Sequence, residues 1–261
     1  MEAWAAVFLV VLGLLCTASR EAVQMAATLG DAAPRLLDAS TAFRTDAAWV
    51  YGFPELAEGQ DRAIATALRV SNPGCYPTGA IALLRPLVDK GVLDARYPIC
   101  INAISGYSGG GRSMIEAHES AGGPAFELYG LSLEHKHVPE IHQHAGLGRR
   151  PVFVPSVGHF ARGMIVSIPL HLDDLQGHIT GSDLHNILQE HYAGQEHVRV
   201  MPHEPTLSAE ALAGSDKMEL RVHAGTHCRQ ALLTARLDNL GKGASGAALQ
   251  NISLMLGLNN A

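Results

Sequence analysis

The stretch SNPGCYPTG (71–79) sets one cysteine, Cys75, among residues that bend a backbone rather than fill a core. Pro73 and Gly74 make a turn before it. A helix expected from about Thr78 would aim its unsatisfied amide groups back toward the sulfur. Such donors favour a thiolate and can hold the oxyanion formed when a thiolate attacks a carbonyl. A thiol that merely packs beneath the turn fits the same residues. A nucleophilic cysteine needs a proton carrier, and EHKHVPEIHQH (134–144) supplies histidines at 135, 137, 142 and 144. Imidazole exchanges protons near neutrality, so His135 or His137 is read as the acid–base partner of Cys75. In an extended chain the HxH spacing would put both on one side. Clustered histidines can also bind zinc, but HExxH is absent and no other metal spacing is present, so no metal site is expected.

Two further loops have the composition of an anion cradle. SGYSGGGR (105–112) combines small residues, the hydroxyls of Ser105 and Ser108, and the guanidinium fork of Arg112. DASTAFR (38–44) runs from a strand into a hydroxyl-rich turn with Ser40 and ends in Arg44, which suits a carboxylate or phosphate, or is an ordinary surface residue. These loops are distant in sequence, so only the fold can relate them.

The elements that must position these groups are legible from apolar periodicity. PRLLDAS (34–40) reads as a short strand, and DRAIATALRVSNPG (61–74) as helix, strand and turn. TGAIALLRPLVDKGVL (78–93) has a helical period that Gly91 closes, and Gly79 leaves room for a ligand or strand to approach. Strands are expected in 97–105, 150–157, 164–172, 217–225 and 230–239. A helix is expected in 178–194, capped by Ser182 or Asp183, and another at the C-terminal end. REAVQMAATLG (20–30) has helical spacing. The uncharged run from Ala3 to Ser19 has the shape of an export h-region without a basic start, and Val7–Cys16 also suits a buried parallel strand.

The 261 residues carry a net charge of −6, which argues against an electrostatic grip on nucleic acid or anionic lipid. Four cysteines (Cys16, Cys75, Cys100, Cys228) without a CxxC pair do not form a disulfide framework, and thiols kept reduced fit a reducing compartment. Cys100, in the apolar run YPICINAI, reads as a small buried hydrophobe.

Taken together, NPGCYPTG, SGYSGGGR, HKHVPEI and the closing DNLGKGASGAALQNISLMLGL resemble the N-acetyl-gamma-glutamyl-phosphate reductases of arginine biosynthesis, and DASTAFRTDAAWVYGFPEL (38–56) resembles their shorter subtype. The resemblance implies an α/β plus α+β fold like that of semialdehyde dehydrogenases. An incomplete Rossmann-like NADP-binding domain (1–74) would hold an inserted α+β catalytic and substrate domain (75–238), with 239–261 returning to the cofactor domain as a helix. It also implies Cys75 as nucleophile, with His137 favoured over His135 as base. Ser40, Arg44, Ser105, Ser108, Arg112 and Glu140 would face substrate, while Gly109, Gly110, Gln250 and Asn251 would face NADP(H). The implied reaction is NADPH-dependent reduction of N-acetyl-L-glutamyl 5-phosphate to the 5-semialdehyde and inorganic phosphate, through a thioester, in a cytoplasmic homo-oligomer with no nucleic-acid or stable membrane partner.

The sequence departs from that family in one respect. Family members begin with a strand and a glycine-rich turn for the dinucleotide pyrophosphate, whereas only Gly13 and Gly30 precede Asp38 here. The chain is therefore expected to lack about 50–60 residues of the cofactor domain. Rival expectations are a cysteine acyl hydrolase using Cys75 and His137, and a remnant that folds or binds without turnover.

Overall fold

The computed structural model describes residues 35–258 continuously, together with residues 21, 24 and 28. The apolar run 3–19, including the expected strand Val7–Cys16, and most of the expected helix 20–30 lie outside the described residues. In chain order the elements are β1 (Leu36–Asp38), β2 (Val50–Tyr51), α1 (Gln60–Thr66), β3 (Arg69–Ser71), α2 (Cys75–Asp89), β4 (Cys100–Gly106), α3 (Arg112–Ala121), β5 (Phe126–Leu128), α4 (Val138–His144), β6 (Val152–Gly158), β7 (Met164–His171), α5 (Gly181–His191), β8 (Val198–Val200), β9 (Met218–Ala224), β10 (Gln230–Leu237) and α6 (Gly246–Leu256). They divide into two compact units, residues 1–74 with 247–261, and residues 75–246. The second division falls eight residues beyond the expected 238/239 boundary, so 239–246 stays with the larger unit.

In the first unit, β1, β3 and β2 pair in parallel in that order. Parallel strands need a crossover between them, and α1 supplies the one from β2 to β3. Leu37, Ile64 and Val70 pack with Ala248 and Met255 of α6. Each large apolar side chain so buried contributes about 1.5–3 kcal/mol. A second cluster gathers Leu36, Phe43 and Trp49, the two rings stacked with centroids 4.3 Å apart.

The second unit is a seven-stranded mixed sheet in the order β5-β6-β4-β7-β10-β9-β8. All five strands expected in this region form. Register matters because a one-residue slip would turn each buried face outward. β7 and β10 pair antiparallel from Met164↔Leu237 to His171↔Gln230, and the even-numbered positions of β7 are buried. α2 lies against β7 and β10. Gly79 lets it approach, since a Cβ there would sit 2.9 Å from Val166 Cγ2. The close approach is therefore that of a strand.

Three local expectations change. α2 begins at Cys75 itself, three residues before Thr78. Pro77 does not delay it, because a first-turn residue has no intrahelical amide bond to lose. α5 is capped by Thr180, whose hydroxyl accepts from the Asp183 amide while Asp183 reaches back to Thr180, a reciprocal capping box rather than a Ser182 or Asp183 cap. The His135–His137 segment is a turn, with His137 in helical conformation immediately before α4 and the His137 amide donating to His135 Nδ1 at 3.2 Å.

Candidate active site

Cys75 is half-buried and occupies the first turn of α2, where backbone N–H groups have no intrahelical acceptor and the helix dipole favours an anion. The π-helical turn Gly241–Ser245 packs behind it. A Cβ on Gly243 would lie 2.9 Å from Cys75 Cβ, so only glycine allows this approach.

Tyr76, the next residue, is a hub. Its ring centroid lies 6.2 Å from that of His135, 6.0 Å from His137 and 5.3 Å from Phe153. Its buried hydroxyl donates to Ser156 O at 2.9 Å and accepts from the Tyr129 hydroxyl at 3.1 Å. Burial raises the Tyr76 pKa well above the ordinary phenol value, and burial likewise pushes Tyr129 up to about 12. A negative Cys75 adds to both shifts, which sets the sulfur within electrostatic reach of the two phenols. His135 and His137 meet edge to face at 4.8 Å. Burial, with a smaller contribution from Lys136, lowers His135 to about 4. Glu140 is buried in the first turn of α4.

The glycine-rich stretch closes β4 and continues as a 3-10 turn, 107–110. Its amides at 106, 107 and 108 donate to the carbonyls of Gly163, Phe160 and Ala161, so these three are not open to an anion as the sequence suggested. Ser108 donates to Ala161 O and accepts from Asn239 Nδ2 at 2.9 Å. Ser105 is buried and donates to Gly106 O. Gly109 lies under Ser105 Oγ and Asn239 Nδ2, and Gly110 against Met114. Arg112 opens α3 with its side chain almost wholly exposed, paired with Glu116 on the same helix at 2.8 Å.

In the first unit Arg44 is buried, not an ordinary surface residue. Its Nε donates to Asn72 O and its Nη2 to Ala39 O, both at 2.9 Å, tying the end of β1 to the exit of β3. Ser40 donates to Asp38 Oδ2 at 2.7 Å and accepts from the Ala42 amide. Gln250 donates to Glu55 Oε1 at 3.0 Å. Asn251 is fully buried and donates to Gly52 O and Asn72 Oδ1 at 2.8 and 3.1 Å.

Sequence reasoning missed Tyr76, Tyr129, Asp238 and Asn239. Asp238 is fully buried, ion-paired to Arg162, and accepts from the Gly214 and Leu240 amides. Asn239 accepts from the Gly163 amide at 2.8 Å while donating to Ser108, so one side chain joins the closing motif to the glycine-rich loop. The DNLGKG run was the available signal. Among the described residues no three His, Cys, Asp or Glu side chains converge as a metal site.

Residues 75–239 match the family model of the semialdehyde dehydrogenase dimerisation domain. Two solved structures share the fold. Aspartate semialdehyde dehydrogenase II from Vibrio cholerae superposes with a TM-score of 0.69 at 16% identity, covering 91% of this chain and 77% of that one. A probable aspartate-semialdehyde dehydrogenase from Pseudomonas aeruginosa gives 0.65 at 17%, covering 92% and 77%. The fold is thus that of the semialdehyde dehydrogenases. Among curated proteins, N-acetyl-gamma-glutamyl-phosphate reductase 2 of Pseudomonas putida is 53% identical over 254 residues, covering 94% of this chain and 81% of the relative. The enzyme named N-acetyl-gamma-glutamyl-phosphate reductase in Brucella ovis is 51% identical over 259 residues, covering 94% and 83%. The chain belongs to the N-acetyl-gamma-glutamyl-phosphate reductase family of oxidoreductases.

Proposed function

We propose that the chain reduces N-acetyl-L-glutamyl 5-phosphate to N-acetyl-L-glutamate 5-semialdehyde and phosphate, with Cys75 carrying the acyl group. The observation that carries this reading is the seat of Cys75 in the first turn of α2, with Tyr76 joining it to the His135–His137 pair. The Cys75 thiolate attacks the acyl carbon, and the α2 amides stabilise the oxyanion. Collapse expels phosphate and leaves a thioester. His135 uses the Nδ1 lone pair to accept from the His137 amide and has a weak hold on a proton, so proton exchange is assigned to His137. Arg112 suits the phosphate because its partner among the described residues is an exposed i,i+4 carboxylate, a pair worth about 0.3–0.5 kcal/mol. Glu140, Ser105 and Ser108 shape the same unit, and Ser40 and Arg44 shape the β1 turn in the other.

The family uses a nicotinamide cofactor, and the first unit suits one. Ligands of parallel sheets bind beyond the strands' carboxyl ends, where Asn251 is anchored. The buried Asn251 Oδ1 has no hydrogen-bond partner among the described residues, an acceptor left for a carboxamide. Within this unit Asn251, with Gln250, would hold the group, NADP(H) by the family resemblance. Bound there, it would supply the hydride that reduces the thioester carbon. Cys75 then leaves as thiolate and His137 manages the proton.

Assembly with further copies fits a region matched by a dimerisation-domain model. A reduced thiol and a pool of reduced nicotinamide suit the cytoplasm. Among the described residues no helix is long and apolar enough to cross a membrane. The test is phosphate-dependent NADP+ reduction with N-acetylglutamate 5-semialdehyde. The parent chain should turn over, and Cys75→Ser should lose at least about 10³-fold. A Cys75→Ser variant at the parent rate would contradict the proposal.

A further inference from the structure

Tyr129 lies just beyond β5 and is only half-buried. Its hydroxyl turns inward and donates to Tyr76. Tyr76 spends its single proton on Ser156 O, so its oxygen can only accept from Tyr129. That carbonyl belongs to β6, where Ser156 pairs with Ile104 of β4, so the two hydroxyls end on the backbone of the sheet. The Tyr129 ring also lies 5.8 Å from that of His135, and its amide donates to Pro155 O. Three stretches distant in sequence, at 75–76, 129–137 and 156, thus meet on two phenols.

We propose that the Tyr129–Tyr76 hydroxyl pair is a positioning device of the reaction: it locks the Tyr76 ring and through that ring fixes the His135–His137 imidazoles relative to Cys75. The inference rests on the reading of Cys75 as nucleophile and His137 as its proton partner. Tyr76 is covalently adjacent to Cys75, so its ring cannot shift without moving the cysteine backbone or releasing the imidazoles. Both phenols keep their protons at neutral pH because burial raises them, and a thiolate nearby raises them further. They act as fixed dipoles, not as acids or bases. Packing alone would be served equally by phenylalanine at 129, and the hydroxyl is what the proposal requires.

The test uses the full chain and reads Cys75 by two routes. The first is the pH profile of iodoacetamide alkylation at Cys75, measured without substrate or nicotinamide. The second is kcat and KM for phosphate-dependent semialdehyde oxidation. Tyr129→Phe is expected to move the alkylation midpoint upward by about 0.5–1 unit, because a loosened imidazole stabilises the thiolate less. It is also expected to lower kcat about 10–100-fold with KM within about twofold. Tyr76→Phe should behave alike, and the double variant should be no worse than Tyr76→Phe alone, since both remove one device. Tyr192→Phe removes another buried hydroxyl of the same unit, one that donates to Ala82 O, and should leave both readouts at parent values. Parent behaviour in Tyr129→Phe, full additivity in the double variant, or an equal shift in Tyr192→Phe would each overturn the proposal. A parent chain whose Cys75 resists alkylation at every pH would instead overturn the nucleophile reading beneath it.

Discussion

His135 and His137 look interchangeable in the sequence, yet the fold separates them by environment. The turn before α4 uses His135 Nδ1 as an acceptor, and burial drives its pKa to about 4. An unfolded histidine titrates near 6.5, so between pH 6.5 and 4 the unfolded chain binds a proton that the folded chain refuses. This contribution to stability is intact above pH 6.5 and is lost as pH falls through 4. Replacing His135 by Gln should flatten the fall of the urea midpoint across that window; an unchanged slope would show that His135 does not cause it. Arg112 makes the opposite case. Arg112→Ala should raise KM for the phosphorylated substrate about tenfold while moving stability by no more than about 0.5 kcal/mol, as thermal denaturation would read. Cys75 was legible from the sequence because proline and glycine around a cysteine make no sense as core. Tyr76 and Tyr129 were not, because a tyrosine's partner is set by tertiary contact and no local spacing announces it. Arg44 read as an anion holder or an ordinary surface residue, since nothing local revealed that two backbone carbonyls would accept from its guanidinium.

Secondary-structure elements were read well wherever periodicity was long, and less well at their ends. Five of the seven strands of the larger sheet alternate or run apolar over seven or eight residues in the structure, which leaves little ambiguity. The helix expected from about Thr78 starts at Cys75, and the three-residue shift places Cys75 within the helix's first turn rather than before it. That geometry makes Gly243 decisive. Gly243→Ala would press a methyl group on Cys75 Cβ at 2.9 Å and on Asp238 O at 3.0 Å. It should cost about 1–3 kcal/mol of stability and slow alkylation of Cys75; an alanine variant with parent reactivity would show that the approach is not required. The capping box of α5 gives a control at the same scale. Thr180→Ala should lower stability by about 1 kcal/mol in chemical denaturation and leave turnover unchanged.

The molecule comprises a small parallel unit closed by α6 and a larger unit built on α2 and a seven-stranded sheet. The closing segment was readable as a helix, but its division between units was not, because the motif from Asn239 to Asn251 is continuous in sequence and only packing divides it. The larger sheet also carries a charged cluster remote from any motif. Arg221, almost fully buried, pairs with Glu219 at 2.9 Å and with Glu204, and Arg236 pairs with Glu219. Such a network is invisible until β9 and β10 are set side by side. The central claim is chemical: Cys75 takes the acyl group from the phosphate. Its most direct test mixes the chain with N-acetyl-L-glutamyl 5-phosphate in the absence of nicotinamide, quenches in acid and maps the adduct by peptide mass spectrometry. The account predicts an N-acetylglutamyl thioester on Cys75 with phosphate release matching it in amount, whereas an adduct on another residue, or turnover with no adduct on Cys75, would contradict it.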